Sequence, residues 1–321
     1  MLQVGIIGLG GWGRKLVESV QGKSGKIRFV SAYSRAPDTR RAFCDKHGIA
    51  VTSDMSGFLG DPKISAVVSA GPAGLHAKHG LAALEAGKHT LIIKPFATNL
   101  ADAEAVRDMA KKKGLIALLG YNRCFMPPVV ELRQRLAAGA LGQLVHAEGN
   151  FCVDRYRSLK PGDWKTDRGQ VQAGSLADHM LYGLIEFLGP VSEVTVHGAT
   201  HVPGVPIADT VAALLRFKNG TSGLLTAIGV TPELFRLQVF GTKGWVELRG
   251  LDRFTFQPAE GPLEVIDFPP YDAEEAEMEA FADALAGTQP FPATLDNAVH
   301  SAAVLEAMDR SAATGKSVAL P

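Results

Sequence analysis

The sequence predicts an α/β domain built on a doubly wound parallel sheet, followed by an α+β domain with a large, mostly antiparallel, open-faced sheet. Three observations carry this. A Gly-x-Gly-x-x-Gly loop follows the first apolar run directly. Short apolar runs then alternate with helical segments through residue 120. After residue 144 the runs rich in strand formers succeed one another across short turns. Alternation of strands with 10–15-residue helices means βαβ units and a parallel sheet, whereas consecutive strands with short turns mean antiparallel pairing.

The first run, Val4 to Ile7, is apolar and β-branched, as a strand buried on both faces must be. Gly8, Gly10 and Gly13 follow, and Arg14 to Val20 continues as a helix. This strand–turn–helix setting is what a Rossmann dinucleotide fingerprint requires. Gly8 allows the tight turn, Gly10 lets a pyrophosphate approach the backbone, and Gly13 lets the helix pack on the strand. The loop residues Gly11 and Trp12 are candidate cofactor contacts with them. The phosphates would rest on the N–H groups at the positive end of the helix.

Arg28 to Tyr33 is the second strand, and Ser34-Arg35 stands at its tip, where the adenosine ribose lies in such folds. An acid there would favour NAD. Ser34 and Arg35, with Arg40 and Arg41 close behind, suit a 2′-phosphate instead, so NADP is favoured over NAD. Asp38 is the nearby acid that could reverse this. Thr39 to His47 is a helix ended by Gly48, Ala50 to Ser53 a strand, Met55 to Leu59 a short helix and Ile64 to Ser69 a strand. Leu75 to Ala86 is helical with Gly87 after it, and His89 to Ile93 is a strand ending in Lys94-Pro95. Thr98 or Asn99 can cap the helix Leu100 to Lys113, and Gly114 ends it. Leu115 to Leu119 completes six strands in residues 1–121, one Rossmann domain.

Lys94 sits at the carboxyl end of a buried strand, where open α/β sheets place their ligands. A partly desolvated lysine there can shuttle a proton, although a lysine at a strand end is commonly just solvated.

Composition narrows the class. Lysine plus arginine and aspartate plus glutamate both number 33, which argues against a generic nucleic-acid or membrane-surface binder. Cys44, Cys124 and Cys152 are too few, and without C-x-x-C spacing, for a disulfide framework or a zinc site, so reduced thiols and no metal are expected. No apolar run reaches a membrane span and no leader pattern opens the chain, which reads as cytoplasmic.

The combined pattern resembles the glucose–fructose oxidoreductase/inositol dehydrogenase/rhizopine-catabolism (Gfo/Idh/MocA) family. The resemblance runs through Gly8 to Gly13, Gly71-Pro72 with His76, Ala83 to His89, Lys94-Pro95, Gly120-Tyr121-Asn122-Arg123 with Pro127, and Leu141-Gly142. It ends on Pro292-Ala293-Thr294 and Ser311 to Gly315. It implies an NAD(P)-dependent oxidoreductase acting on sugars, cyclitols or related polyols. Lys94 would contact substrate and cofactor and take part in proton transfer. Gly71, Pro72, His76 and Asn122 are thereby candidate cofactor contacts, and Tyr121 and Arg123 candidate substrate contacts. The glutamate of the family's Glu-Lys-Pro motif is replaced by Ile93.

Residues 122–321 form the second domain, for substrate binding and oligomerisation. Pro128 to Ala138 is a helix. Strands are expected at Leu144 to Val153, Ser192 to Thr200, Ala208 to Lys218, Ser222 to Thr231, Leu234 to Gly241, Trp245 to Arg249 and Phe254 to Gln257. Asn219-Gly220 is a hairpin signal. Helices follow at Glu274 to Leu285 and Leu295 to Thr314. The acids Glu274, Glu275, Glu277 and Glu279 read as a solvated helix face. An open-faced sheet leaves one side for a second copy, and the resemblance points the same way, so a homodimer or homotetramer joined through this sheet is expected.

Gly174 to Tyr182 opens a helix running to Leu188, where the family carries Asp-x-Gly-x-His-x-x-Asp. Counting back from Gly189 puts His179 on the histidine. Counting forward from Gly174 puts Asp178 on the first aspartate and Tyr182 on the histidine. His179 is preferred as acid/base partner because imidazole titrates near working pH; Tyr182 is the other donor, and both Asp178 and His179 could merely cap the helix. Family members often carry a Trp-Lys or Trp-Arg pair near the nicotinamide, which makes Lys165, after Trp164, a candidate substrate contact. Asp154, Arg155, Tyr156 and Arg157 are specificity candidates at a strand end, Arg155 foremost. The expected activity is hydride transfer between nicotinamide and a hydroxyl or carbonyl carbon. The alternative is a non-catalytic regulator of the same fold that senses dinucleotide and sugar; an adenosylmethionine-dependent methyltransferase fits Lys94-Pro95 poorly.

Overall fold

Strands buried on both faces must run apolar, and the centre of the first sheet is built this way. The computed structural model describes residues 1–159, 175–204 and 207–320. Its opening elements are β1 (Leu2–Ile7), α1 (Gly11–Val20), β2 (Ile27–Tyr33), α2 (Asp38–His47), β3 (Ala50–Thr52) and α3 (Met55–Gly60). They continue with β4 (Ala66–Ser69), α4 (His76–Glu85), β5 (His89–Ile93), α5 (Leu100–Lys113) and β6 (Ala117–Gly120). The strands pair in the order β3-β2-β1-β4-β5-β6, all parallel. The order reverses between β1 and β4, so the crevice beyond their carboxyl ends is the ligand position of a doubly wound sheet. Val4, Ile6, Phe29, Val68, Leu91 and Ile93 fill the core beneath it. The helix ends follow local chemistry. Asn99 accepts a hydrogen bond from the Asp102 N–H at 2.8 Å, and Gly48 and Gly114 close α2 and α5 in the left-handed region at φ 65° and 63°.

The chain continues with α6 (Pro127–Ala137), β7 (Leu144–Cys152), α7 (Ser175–Leu188), β8 (Val191–Ala199), β9 (Thr210–Phe217) and β10 (Ser222–Ile228). Next come β11 (Leu234–Gly241), β12 (Gly244–Arg249), β13 (Arg253–Pro258), β14 (Glu264–Asp267), α8 (Ala273–Ala286), α9 (Leu295–Thr314) and β15 (Val318–Ala319). The second sheet runs β14-β13-β12-β11-β7-β10-β9-β8-β15. It is antiparallel except where β10 joins β7 in parallel. Gly220, at φ 87°, makes the turn between β9 and β10, and the Asn219 side chain fastens that turn to Leu188 O at 2.9 Å. Helix α7 lies on β7, where Gly149 makes room: a Cβ there would stand 3.1 Å from Met180 Cβ. On the other face Leu214 and Leu224, paired across β9 and β10, stay 54% and 43% exposed.

The chain divides into two compact units. One is Met1–Asn122 with Asp272–Val299, the other Arg123–Tyr271 with the chain from His300. Helix α8 therefore belongs with the Rossmann sheet, packing on α1 and β2. This corrects the reading of its acids as a solvated face. Glu274 and Glu277 are buried at 5% and 1% exposure. Glu274 is matched, accepting from Lys15 Nζ at 2.7 Å and Asn122 Nδ2 at 3.0 Å. Burial first, and the neighbouring Glu274 charge second, push the Glu277 carboxyl well above its ordinary value. Glu277 therefore keeps its proton in the folded state at pH values where the unfolded chain has released it. Its stabilising contribution is complete below the unfolded pKa, near 4.5, and is lost as pH rises. Glu277→Gln, which fixes the neutral form, is expected to raise the melting temperature at pH 8 by a few degrees, about 2–4 °C per kcal/mol. The gain should shrink towards pH 4.5, and scanning calorimetry across that range checks it.

Candidate active site

The glycine loop joins β1 to α1, and its glycines do different work. Gly8, at φ 96°, turns the chain back beneath Ala70 and Gly71. At Gly13 a Cβ would stand 2.0 Å from Gly8 O, so helix and loop touch backbone to backbone. At Gly10 and Gly11 nothing lies within 4 Å of a Cβ position. No side chain caps the first N–H groups of α1. An open backbone cradle ahead of an uncapped helix start fits the pyrophosphate of a dinucleotide. Trp12 packs beside the core, with Lys15 Nζ 5.1 Å from its ring centroid.

At the β2 tip, Ser34 is half-buried and Arg35 exposed. Asp38 lies outward in the first turn of α2, paired with Arg41 at 2.9 Å.

Lys94 closes β5, half-buried, with its N–H donating to Gly120 O at 3.0 Å. Ile93, where the resemblance has a glutamate, is buried in the apolar core. His76 is 1% exposed, and its Nδ1 and Nε2 lie 2.7 Å from Pro95 O and 2.9 Å from Gly71 O. Burial, against the pull of these carbonyls, lowers its pKa, and the Lys94 charge adds to the lowering. His79, one helical turn on, touches Ser69 Oγ at 3.3 Å and is driven down to about 4 chiefly by burial. Gly71 and Pro72 are half-buried, and Tyr121 and Asn122 are buried where β6 ends. Thus the first unit gathers Gly71, Pro72, His76 and Lys94 beyond the carboxyl ends of adjacent strands β4 and β5, with Tyr121 and Asn122 beyond β6.

In the second unit Arg123 is 9% exposed and lies between two rings, 5.6 Å from Phe151 and 4.5 Å from Phe235. The ring of His179 meets Phe151 edge to face at 5.3 Å. Two candidates for substrate contact, Arg123 and His179, are thereby joined through Phe151. Neighbouring Asp178 is buried and accepts from Ser301 Oγ at 3.5 Å. Tyr182 is 1% exposed and His179 half-buried, so His179 presents the more accessible group. Arg155 is exposed after β7, whereas Tyr156 is buried with its ring against Gly229. Trp164 and Lys165 lie outside the described residues. Among the described residues no cluster of His, Cys, Asp or Glu could hold a metal, and no helix is long and apolar enough to cross a membrane.

The sequence reading did not single out Phe151 or Phe235, and it took Glu274 for part of a solvated face. The two phenylalanines showed only as inward positions of alternating strands. Nothing local marked Glu274 as the partner of Lys15 and Asn122.

A doubly wound sheet whose glycine loop can cradle a pyrophosphate defines a dinucleotide-binding enzyme fold. Residues 2–121 match the family described as "Oxidoreductase family, NAD-binding Rossmann fold", and residues 129–247 match the GFO/IDH/MocA C-terminal domain. The chain belongs to the Gfo/Idh/MocA family of oxidoreductases. It is 29% identical over 256 residues to the uncharacterised oxidoreductase YdgJ of Escherichia coli, covering 78% of this chain and 72% of that one. It is 28% identical over 202 residues to levoglucosan dehydrogenase of Pseudarthrobacter phenanthrenivorans, covering 61% of this chain and 52% of the relative. A structure of levoglucosan dehydrogenase with NADH and levoglucosan superposes with a TM-score of 0.90 at 22% identity, over 100% of this chain and 99% of the other. That likeness shows the shared fold.

Proposed function

We propose that this oxidoreductase is a dehydrogenase or reductase of a sugar, cyclitol or related polyol, with Lys94 and His179 moving the hydroxyl proton. The observation that carries the reading is Lys94, half-buried at the carboxyl end of β5, in the same sheet as the glycine loop, with only β4 between β5 and β1. The nicotinamide, when bound, supplies the hydride acceptor or donor. Gly10, Gly11 and Gly13 with the start of α1 would hold its pyrophosphate, with Trp12, Gly71, Pro72 and Asn122 as further contacts. Lys94 takes the proton as the substrate hydroxyl is oxidised and returns it in the reverse direction. His179 is preferred over Tyr182 as its partner because it is the less buried of the two. Arg123, Tyr121, Arg155 and Lys165 are the remaining substrate candidates.

NADP is favoured over NAD. Ser34 and Arg35 stand at the β2 tip, and Asp38 is turned to Arg41 at 2.9 Å. Thermal shift with each dinucleotide separates the two, since a bound ligand raises the melting temperature by mass action. Incubation of the preferred cofactor with levoglucosan, glucose and myo-inositol should then yield the absorbance of reduced nicotinamide. Firm dinucleotide binding without turnover of any polyol, in either direction, would favour the sensing regulator. The exposed Leu214 and Leu224 favour a second copy on the open sheet face; light scattering of Leu214→Lys against the wild type tests this.

A further inference from the structure

Beyond the glycine loop, one buried side chain ties together the two loops that follow β4 and β5. His76 stands at the start of α4 with a carbonyl oxygen against each ring nitrogen, Pro95 O at 2.7 Å and Gly71 O at 2.9 Å. Carbonyls only accept, so the ring must donate, and a neutral imidazole has a single N–H to give. The shorter contact assigns that proton to Nδ1 and hence to Pro95 O. On the other side of the same dipeptide, the Lys94 N–H donates to Gly120 O at 3.0 Å. Pro95 has no N–H of its own. The Lys94-Pro95 backbone is thereby held at both ends, by β6 and by His76.

We propose that His76 is a positioning residue that fixes the direction of Lys94 by holding the Pro95 carbonyl. This deepens the proposed function and rests on its assignment of proton transfer to Lys94. A displacement of about 1 Å in a reacting group can lower a rate about 10²-fold, so the clamp has a large lever on turnover. Its surroundings are consistent. The charges that face His76 are those of Lys94 and, when protonated, His79. Both disfavour a cationic ring, so His76 acts as a neutral donor and not as a second acid.

Three substitutions test it. His76→Leu removes both contacts, His76→Asn places an amide nitrogen near the position of Nδ1, and His76→Gln reaches towards that of Nε2. Turnover of levoglucosan, glucose and myo-inositol with NAD and NADP is measured with dinucleotide affinity. Lys94 is labelled in parallel with acetic anhydride across pH, read by mass spectrometry. His76→Leu is expected to lose about 10–100-fold in kcat, with an altered Lys94 labelling profile. His76→Asn should recover most of the kcat and the labelling profile, and His76→Gln should not. Wild-type labelling and turnover in His76→Leu, or rescue by His76→Gln alone, would overturn the clamp. Lys94→Ala run alongside separates the two proposals: unimpaired turnover there sinks the role of Lys94, while the labelling profiles still decide whether His76 directs it. Labelling needs no substrate, and the asparagine variant keeps the decision open should the leucine variant not fold.

Discussion

Lys94→Ala is expected to lower turnover by about 10²–10⁴-fold, the usual worth of an acid/base group, while dinucleotide affinity stays within a few-fold. The separation follows from where the two functions lie. The pyrophosphate cradle is made by Gly10, Gly11 and the uncapped start of α1, whereas Lys94 follows β5. Lys94 is fixed through its own backbone, the N–H on Gly120 O at 3.0 Å, and that bond survives truncation of the side chain. The fold should therefore tolerate the change. Lys94→Arg makes a sharper version. It keeps the cation but not an amine able to give and take a proton near neutral pH, so a proton-transfer role predicts that arginine is nearly as poor as alanine. Stopped-flow reduction of the cofactor with both variants checks this. Full activity of Lys94→Arg would mean that the residue supplies charge alone.

The first sheet was legible because its central strands β1, β4 and β5 are buried on both faces. Val4 to Ile7 and His89 to Ile93 read as strands without tertiary information, and Gly48 and Gly114 announced helix ends through a backbone conformation that glycine adopts readily. Sequence reading failed where a group's surroundings come from far away. The α8 acids look solvated on a helical wheel, yet Glu274 meets Lys15 and Asn122, 259 and 152 positions distant. His76 stood out only through the family resemblance, as a cofactor contact, and His79 looks like an ordinary polar residue of a helix; only the packing of α4 against β4 and β5 shows one holding two loops and the other buried beside Ser69. The short edge strands β14 and β15, of four and two residues, are too brief to carry a period. In the Asp178–Tyr182 segment the motif can be aligned in two ways and spacing alone does not choose between them; the half-buried state of His179 and the burial of Tyr182 are set by packing that spacing does not encode.

Gly10 and Gly11 should respond to a single added methyl group in the opposite way from Gly13, and this separates packing from ligand binding. Gly13→Ala puts a Cβ 2.0 Å from Gly8 O. The obstructing atom is backbone, so no rotamer change relieves the contact, and α1 must move off β1. Overpacking of a tight core ordinarily costs about 1–3 kcal/mol, and a backbone clash belongs at or above the top of that range. A fall in melting temperature of roughly 6 °C or more follows, at about 2–4 °C per kcal/mol for chains of this order, along with loss of dinucleotide protection. Gly10→Ala and Gly11→Ala meet nothing within 4 Å, and neither glycine has a positive φ. Their melting temperatures without ligand should match the wild type or slightly exceed it. The added methyl nonetheless stands in the open space assigned to the pyrophosphate, so both should lose dinucleotide affinity by tenfold or more, about 1.4 kcal/mol. Calorimetry of the three proteins with and without NADP reads both effects. Were Gly10→Ala and Gly11→Ala to bind NADP as the wild type does, the phosphates could not lie against this backbone, and the glycine loop would be a packing device only.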